Sequence, residues 1–424
     1  MDFNEIVQNL LNLSKEIDIS DKSHDRTSEK YTITQIYNQK YVGIKRSGHN
    51  YLNHATSLFL EKETTILSDK KPKKISAFIS FESVQKKLLE ITIDALINHS
   101  SQKDVIITRN VSNYFSEIKQ TEFRFYVGIG NLIVRNEQKF GLITFFANDV
   151  DVIKNRFQDQ IECHYMGTAF TNLCNIRKQQ NICTLAEVKT LTSDMKKCAE
   201  MSRLTIRQHL NVLQCFSREG FFLEGEPTRD EYHHNIFDVK GKSFQEAMGS
   251  NKRHNYHIPL NLDDFIRDNQ NLFEKIDAAL KTDSNNPLMQ RVIFSLDWLG
   301  DSLTEANDHH RLLKLMISLE SLLLDSYDSS KRLLLEERAA FLYSKQYEKR
   351  IFIKDLINEA YTKRNAIIHT GNKEPLPQDL LQQITIVIRE LNIIIISNNN
   401  FKTQSNIQKY VENEKYGKNE VISQ

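Results

Sequence analysis

Two residues of complementary chemistry stand at the end of the longest helical pattern in the sequence. Arg364 and His369 lie in the run YTKRNAIIHTG, residues 361–371, with four residues between them. An imidazole is the side chain best suited to exchange protons at pH 7. A guanidinium binds two oxyanions at once and stabilises charge that builds on them. Residues five apart on an ideal helix are separated by about 140°. The pair therefore shares a face only if the helix end departs from ideality or a second chain completes the site. Burying either residue is costly unless it is paired or functional. A structural account also stands: Arg364 paired with Glu320 or Glu359, and His369 an ordinary helix-end residue.

Other chemistry-bearing groups form weaker patterns. Five cysteines, Cys163, Cys174, Cys183, Cys198 and Cys215, lack any CxxC pair. Their number and spacing argue against a disulfide framework and a four-cysteine zinc site, so reduced structural thiols are expected. His233, His234, His254 and His257 fall in an irregular connector, 224–258, and read as solvated loop residues. No metal or cofactor is expected. Gly128-Ile129-Gly130 lacks the third glycine of a dinucleotide fingerprint and lies inside a strand pattern. A bulge or close backbone approach accounts for it better. Residues 184–223 read as helices, and 205–216, with Arg207, Gln208, His209 and Asn211, could serve as a recognition helix. Ordinary packing helices are the default there. The lysine-rich 68–74 reads as a turn or linker around Pro72.

The elements that carry these groups follow from composition and periodicity. The chain has 13 Gly and 6 Pro in 424 residues, about 4.5%, where roughly 12% is usual. That scarcity disfavours barrels and propellers and favours helices with short polar connections. A net charge of +1 provides no global basic field, so any nucleic-acid contact must be local. The first residues are polar and acidic, unlike a signal peptide. The most apolar stretch, 384–396, is interrupted by Arg389 and Glu390 and is too short to span a bilayer. A soluble protein of a reducing cytoplasm is expected.

A helix is predicted at 3–17, a strand at 75–81 and a helix at 84–98. Strand patterns at 123–134 and 140–146 suggest a hairpin across Asn136 and Glu137. From Pro287 the pattern is helical, in five segments: 287–300, 312–323, 334–342, 353–368 and 380–396. Asn285-Asn286-Pro287 is a start signal, Gly300 an expected stop, and Gly371 a C-terminal cap. Trp298 is expected in the core, and Arg338 in a structural ion pair. The predicted class is α+β: a mixed α/β N-terminal region, 1–160, a helical and irregular middle, 161–284, an all-α bundle, 285–400, and a polar tail, 401–424.

Arg364-Asn365-x3-His369-x-Gly371 resembles the Arg-x4–6-His signature of HEPN domains, a helical family of metal-independent ribonucleases. The segments RVIFSLDWLG (291–300), LKLMISLESLLL (313–324), ERAAFL (337–342) and 360–371 resemble, in order and spacing, the ApeA-like branch of that family. The resemblance covers about 285–400, roughly a quarter of the chain. It implies an endoribonuclease that cuts RNA through the ribose 2′-OH, in prokaryotic antiviral defence or toxin-like growth arrest. It implies His369 as general acid/base, Arg364 as phosphate clamp, and Asn365 orienting His369 or binding phosphate. Glu320 then holds Arg364 by an ion pair. Domains of this family pair so that both motifs face one cleft, so a homodimer is expected, which also answers the 140° divergence. A phage-derived or small-molecule trigger is expected at the N-terminal region. The alternative is an inert HEPN module in a nucleic-acid-binding regulator or a dimerisation partner.

Overall fold

A computed structural model describes residues 3–20, 31–37, 40–65, 72–77, 79–98, 101–157, 171–172, 174–175, 177, 182–217, 221–223, 232–238, 244–249, 260–281, 286–325, 327–371 and 374–417. The chain is α+β, with a small N-terminal sheet and mostly helices toward its C-terminus. It divides into two compact units: 1–124 with 190–202 and 236–245, and 125–189 with 203–235 and 246–424.

The first unit packs helices α1 (Asn4–Lys15), α2 (Arg46–Leu60), α3 (Phe81–Asn98) and α4 (Lys103–Glu117) around one apolar core. A three-stranded antiparallel sheet, β1 (Ile17–Ser20), β2 (Tyr31–Tyr37) and β3 (Lys40–Lys45), has the order β1-β3-β2. β4 (Glu63–Thr65) pairs with β5 (Pro72–Lys74), so Pro72 opens a short strand; 68–71 lies outside the described residues. The strand expected at 75–81 does not form. Ile75–Ala77 is a 3₁₀ turn, and the Ser80 hydroxyl accepts the Ser83 N–H at 3.2 Å, which starts α3 at Phe81.

A seven-stranded sheet, most of its residues in the second unit, comprises β6 (Thr121–Gly130), β8 (Gln138–Phe140), β9 (Ile143–Ala147), β10 (Thr184–Thr192), β11 (Phe222–Leu223), β12 (Tyr232–Asp238) and β13 (Phe244–Gly249). Its order is β13-β12-β6-β10-β9-β8, with β11 on β6, and β7 (Leu132–Ile133) pairs apart with β14 (Leu260–Asn261). Three expectations fail here, one of them that 224–258 is an irregular connector: it supplies β12 and β13. The hairpin across Asn136 is replaced by one at Gly141 joining β8 to β9, and β10 separates β9 from β6. Residues 184–192 are that strand, not a helix. Its pattern is buried on both faces over 184–188, which erases the alternation that marks a half-buried strand. Gly128 and Gly130 lie within β6, Gly130 opposite Phe222.

After α5 (Val150–Phe157) comes α6 (Met195–Ser217), one unbroken helix of 23 residues. Then follow α7 (Leu262–Asp268), α8 (Gln270–Lys281), α9 (Pro287–Leu303), α10 (Asp308–Leu323), α11 (Lys331–Tyr343), α12 (Tyr347–Thr370), α13 (Gln378–Ser397) and α14 (Gln404–Tyr416). Asn286 caps α9 by accepting the Met289 N–H, with Pro287 in the first turn. Gly300 does not stop α9. It lets the helix run against α6: a Cβ there would meet the Asn211 carbonyl oxygen at 2.1 Å. Trp298 is half-buried and meets the exposed Phe294 edge-on. Arg338 is buried and bound to Asp328 and to the Leu323 carbonyl.

α13 is long and apolar enough to cross a membrane by length and composition. Leu381, Ile384, Ile388, Leu391 and Ile395 are buried, and the helix packs against α8, α9, α10, α11 and α12. Residues 401–417 are not only a tail. Thr403 and Asn406 form a capping box, and Ile407 and Val411, four apart, are buried in α14, which packs on α11.

Candidate functional site

The motif residues sit on α12, and its buried stripe decides where each points. Ile353, Leu356, Ile357 and Ala360 are buried. Arg364 follows Ile357 by seven residues, within about 20° of it around the axis, so its stem continues the stripe. His369 lies about 120° from Ile357 and is exposed. The helix stays α-helical to Thr370 and closes on Gly371 at φ 63°, whose N–H reaches the Ile367 carbonyl at 3.2 Å. A single chain therefore turns the Arg364 and His369 side chains apart.

Arg364 faces α10. Its guanidinium lies 3.6 Å from the Glu320 carboxylate, with the two side chains 23% and 22% exposed. That is an ion-pair distance without a hydrogen bond. Glu320 Oε1 is buried and accepts no hydrogen bond among the described residues. Arg364 Nη1 donates to Asn365 Oδ1 at 3.0 Å, and the guanidinium sits 5.6 Å from the Tyr361 ring centre. So the structure brings Arg364, Asn365 and Glu320 together. Asn365 is bonded to the arginine rather than to His369. A guanidinium has five donors, so the Arg364 side chain is oriented and not saturated.

Beyond the motif, the chain is tied to the start of α10. His309 Nε2 lies 2.9 Å from the Glu374 carbonyl, and Gln378 donates to Asp308 at 2.7 Å. Asn307 caps α10 by accepting the N–H groups of His309 and His310. These contacts tie Glu374 and Gln378 to the start of α10. The sequence signal for them was the cap at Asn307, which by itself says nothing about position relative to the motif.

The structure contradicts the recognition-helix alternative for 205–216, where ordinary packing helices are the expectation. No turn breaks α6, and His209 and Asn211 are buried. His209 Nε2 accepts the Leu142 N–H at 3.1 Å, and its Nδ1 meets the Thr205 carbonyl at 2.7 Å. Burial drives the His209 imidazole down to about 4, against the carbonyl of Thr205 and the charge of Asp277. Asn211 donates to Asp297 at 2.8 Å. Burial also lowers the Arg207 guanidinium, opposed by Asp301 and Asp297. These side chains pack 207–211 into the second unit rather than presenting them to a groove. Cys174, Cys198 and Cys215 are buried thiols outside any disulfide, and Cys183 is exposed. Cys163, His254, His257 and the side chains of His233 and His234 lie outside the described residues.

No family model, curated protein or solved structure matches the chain.

Proposed function

We propose that the C-terminal bundle is a HEPN-type, metal-independent endoribonuclease acting as a homodimer. The observation that carries this reading is Arg364, oriented by Glu320 and Asn365 at the end of a helix whose last turn exposes His369. His369 takes the proton from a ribose 2′-OH. That oxygen attacks the adjacent phosphorus, the bond to the 5′-oxygen breaks, and the leaving oxygen is protonated by an imidazolium. The products are a 2′,3′-cyclic phosphate and a 5′-hydroxyl. Arg364 stabilises the charge on the phosphoryl oxygens. Because one chain turns the two side chains apart, the working pair combines Arg364 of one copy with His369 of the other. The N-terminal unit restrains the nuclease until it meets a trigger, in a defence or growth-arrest role.

Purified protein should cleave RNA in excess EDTA and leave cyclic phosphate ends, and His369→Ala should abolish this. Cleavage that survives the substitution, or that depends on added Mg²⁺, overturns the reading.

A further inference from the structure

The Arg364 constellation has a counterpart two turns back along α12. Arg332, in the first turn of α11, reaches across to α12, where its Nη1 donates to Asn358 Oδ1 at 2.7 Å. Its Nε stands 3.5 Å from Glu336 Oε1. We propose that Arg332, held by Asn358 and Glu336, is a second phosphate site. It binds the RNA backbone at a phosphate near the one on Arg364, and so rests on the nuclease reading.

The two constellations match contact by contact. In each, an arginine Nη1 donates to the Oδ1 of an α12 asparagine, at 3.0 Å for Arg364 and Asn365 and at 2.7 Å for Arg332 and Asn358. In each, a glutamate stands at ion-pair distance, 3.6 Å for Glu320 and 3.5 Å for Glu336. In each, that glutamate oxygen, Oε1, is buried and accepts no hydrogen bond among the described residues. Asn358 and Asn365 are seven residues apart, which places them within about 20° of one another and about 10.5 Å apart along the axis. One strand laid along that face of α12 meets both.

The groups that Arg332 and Asn358 offer a ligand are donors. A guanidinium has five N–H donors in a fork that suits phosphate, and Asn358 takes one of them. With its Oδ1 engaged by Arg332, Asn358 still has the two donors of its amide nitrogen. The carboxylate is the more covered member of the pair: the Glu336 side chain is 14% exposed, against 47% for Arg332. A ligand arriving from solvent meets the cation first. An ion pair this exposed contributes under about 1 kcal/mol to stability, so stability alone gives little account of the arrangement.

The probe is a labelled single-stranded 2′-O-methyl oligoribonucleotide, which cannot supply the attacking hydroxyl. Its binding to full-length protein is measured in EDTA across a range of salt. Each phosphate contact on a single strand adds about 0.7 to the slope of log K against log salt. Arg332→Gln should lower the slope by about 0.7 and weaken binding about tenfold. Arg364→Gln should do the same, and the double variant should lower the slope by about 1.4. Asn358→Asp sets a carboxylate against the guanidinium and should act as Arg332→Gln does. A smaller folded fraction changes the amplitude of the titration and not its slope. A wild-type slope in Arg332→Gln overturns the inference, and so does a wild type that does not bind in a salt-dependent way. Cleavage in EDTA reads His369 and is scored separately, so either claim can fail while the other stands.

Discussion

Glu320 and Arg364 approach to 3.6 Å across α10 and α12, near enough to attract and too far to hydrogen-bond. The pair orients the guanidinium and leaves donors beyond the one bonded to Asn365 available to an oxyanion. Glu320→Gln keeps the shape and removes the charge. It should lower RNA cleavage by about tenfold, while stability changes by under about 1 kcal/mol, because both groups are partly exposed. Rates and urea midpoints measured side by side check this. An unchanged rate would remove Glu320 from the positioning role.

The divergence of Arg364 and His369 around α12 makes a stronger claim. If each working site takes one residue from each copy, two dead variants should rescue one another. Arg364→Ala and His369→Ala protein, mixed one to one after unfolding and refolding together, should recover about a quarter of wild-type cleavage. Half of the mixed population is heterodimer, and each heterodimer holds one intact site of two. A mixture as inactive as its components would show that the residues act within one chain or that all four are required.

The boundaries of the bundle helices were legible because their signals are local. Asn286-Pro287 starts a helix by capping chemistry, and Gly371 ends one by its left-handed backbone. The position of Glu320 opposite Arg364 came from a resemblance, and no periodicity encodes it. What the sequence concealed was set by tertiary burial. β10 is covered on both faces, so its apolar residues do not alternate. The 401–417 segment is polar enough to pass for a tail, although Thr403 and Asn406 announce a helix and Ile407 and Val411 share a face. The basic and amide residues of α6 suggested a groove-reading helix, yet Asn211 and His209 serve internal contacts.

His209 predicts a pH dependence of stability. Its Nε2 accepts a backbone N–H, so the folded protein holds the neutral ring with the proton on Nδ1. The folded value is about 4, below the ordinary 6.5 of an unfolded chain. Above pH 6.5 both states are neutral and the full stability is present. As pH falls from 6.5 toward 4 the unfolded chain takes up a proton that the folded one refuses, and roughly 3 kcal/mol is lost. Below 4 both states are protonated and the loss stops. Urea midpoints at about pH 7.5 and 4.5 should therefore shift more for the wild type than for His209→Gln. Equal shifts would mean that His209 charges in the folded state as readily as outside it.

Two glycines of the bundle predict different costs for the same added methyl group. At Gly371 the backbone is left-handed, φ 63°, but nothing lies within 4 Å of a new Cβ. Gly371→Ala meets only conformational strain, about 1 kcal/mol. At Gly300 the backbone is helical and suits alanine, but the Cβ would stand 2.1 Å from the Asn211 carbonyl oxygen and 2.5 Å from its Cα. No flexible side chain can move aside there, since the obstacle is the main chain of α6. The helices must separate, which strains the Asn211–Asp297 bond and the contact of the Cys215 thiol with the Leu296 carbonyl, at 2.8 and 3.1 Å. Gly300→Ala should therefore cost about 3 kcal/mol, against intrinsic helix propensity, which favours alanine by about 1 kcal/mol. Urea unfolding of both variants measures the contrast. A Gly300→Ala protein as stable as Gly371→Ala would mean that α6 and α9 do not approach as closely as this packing requires.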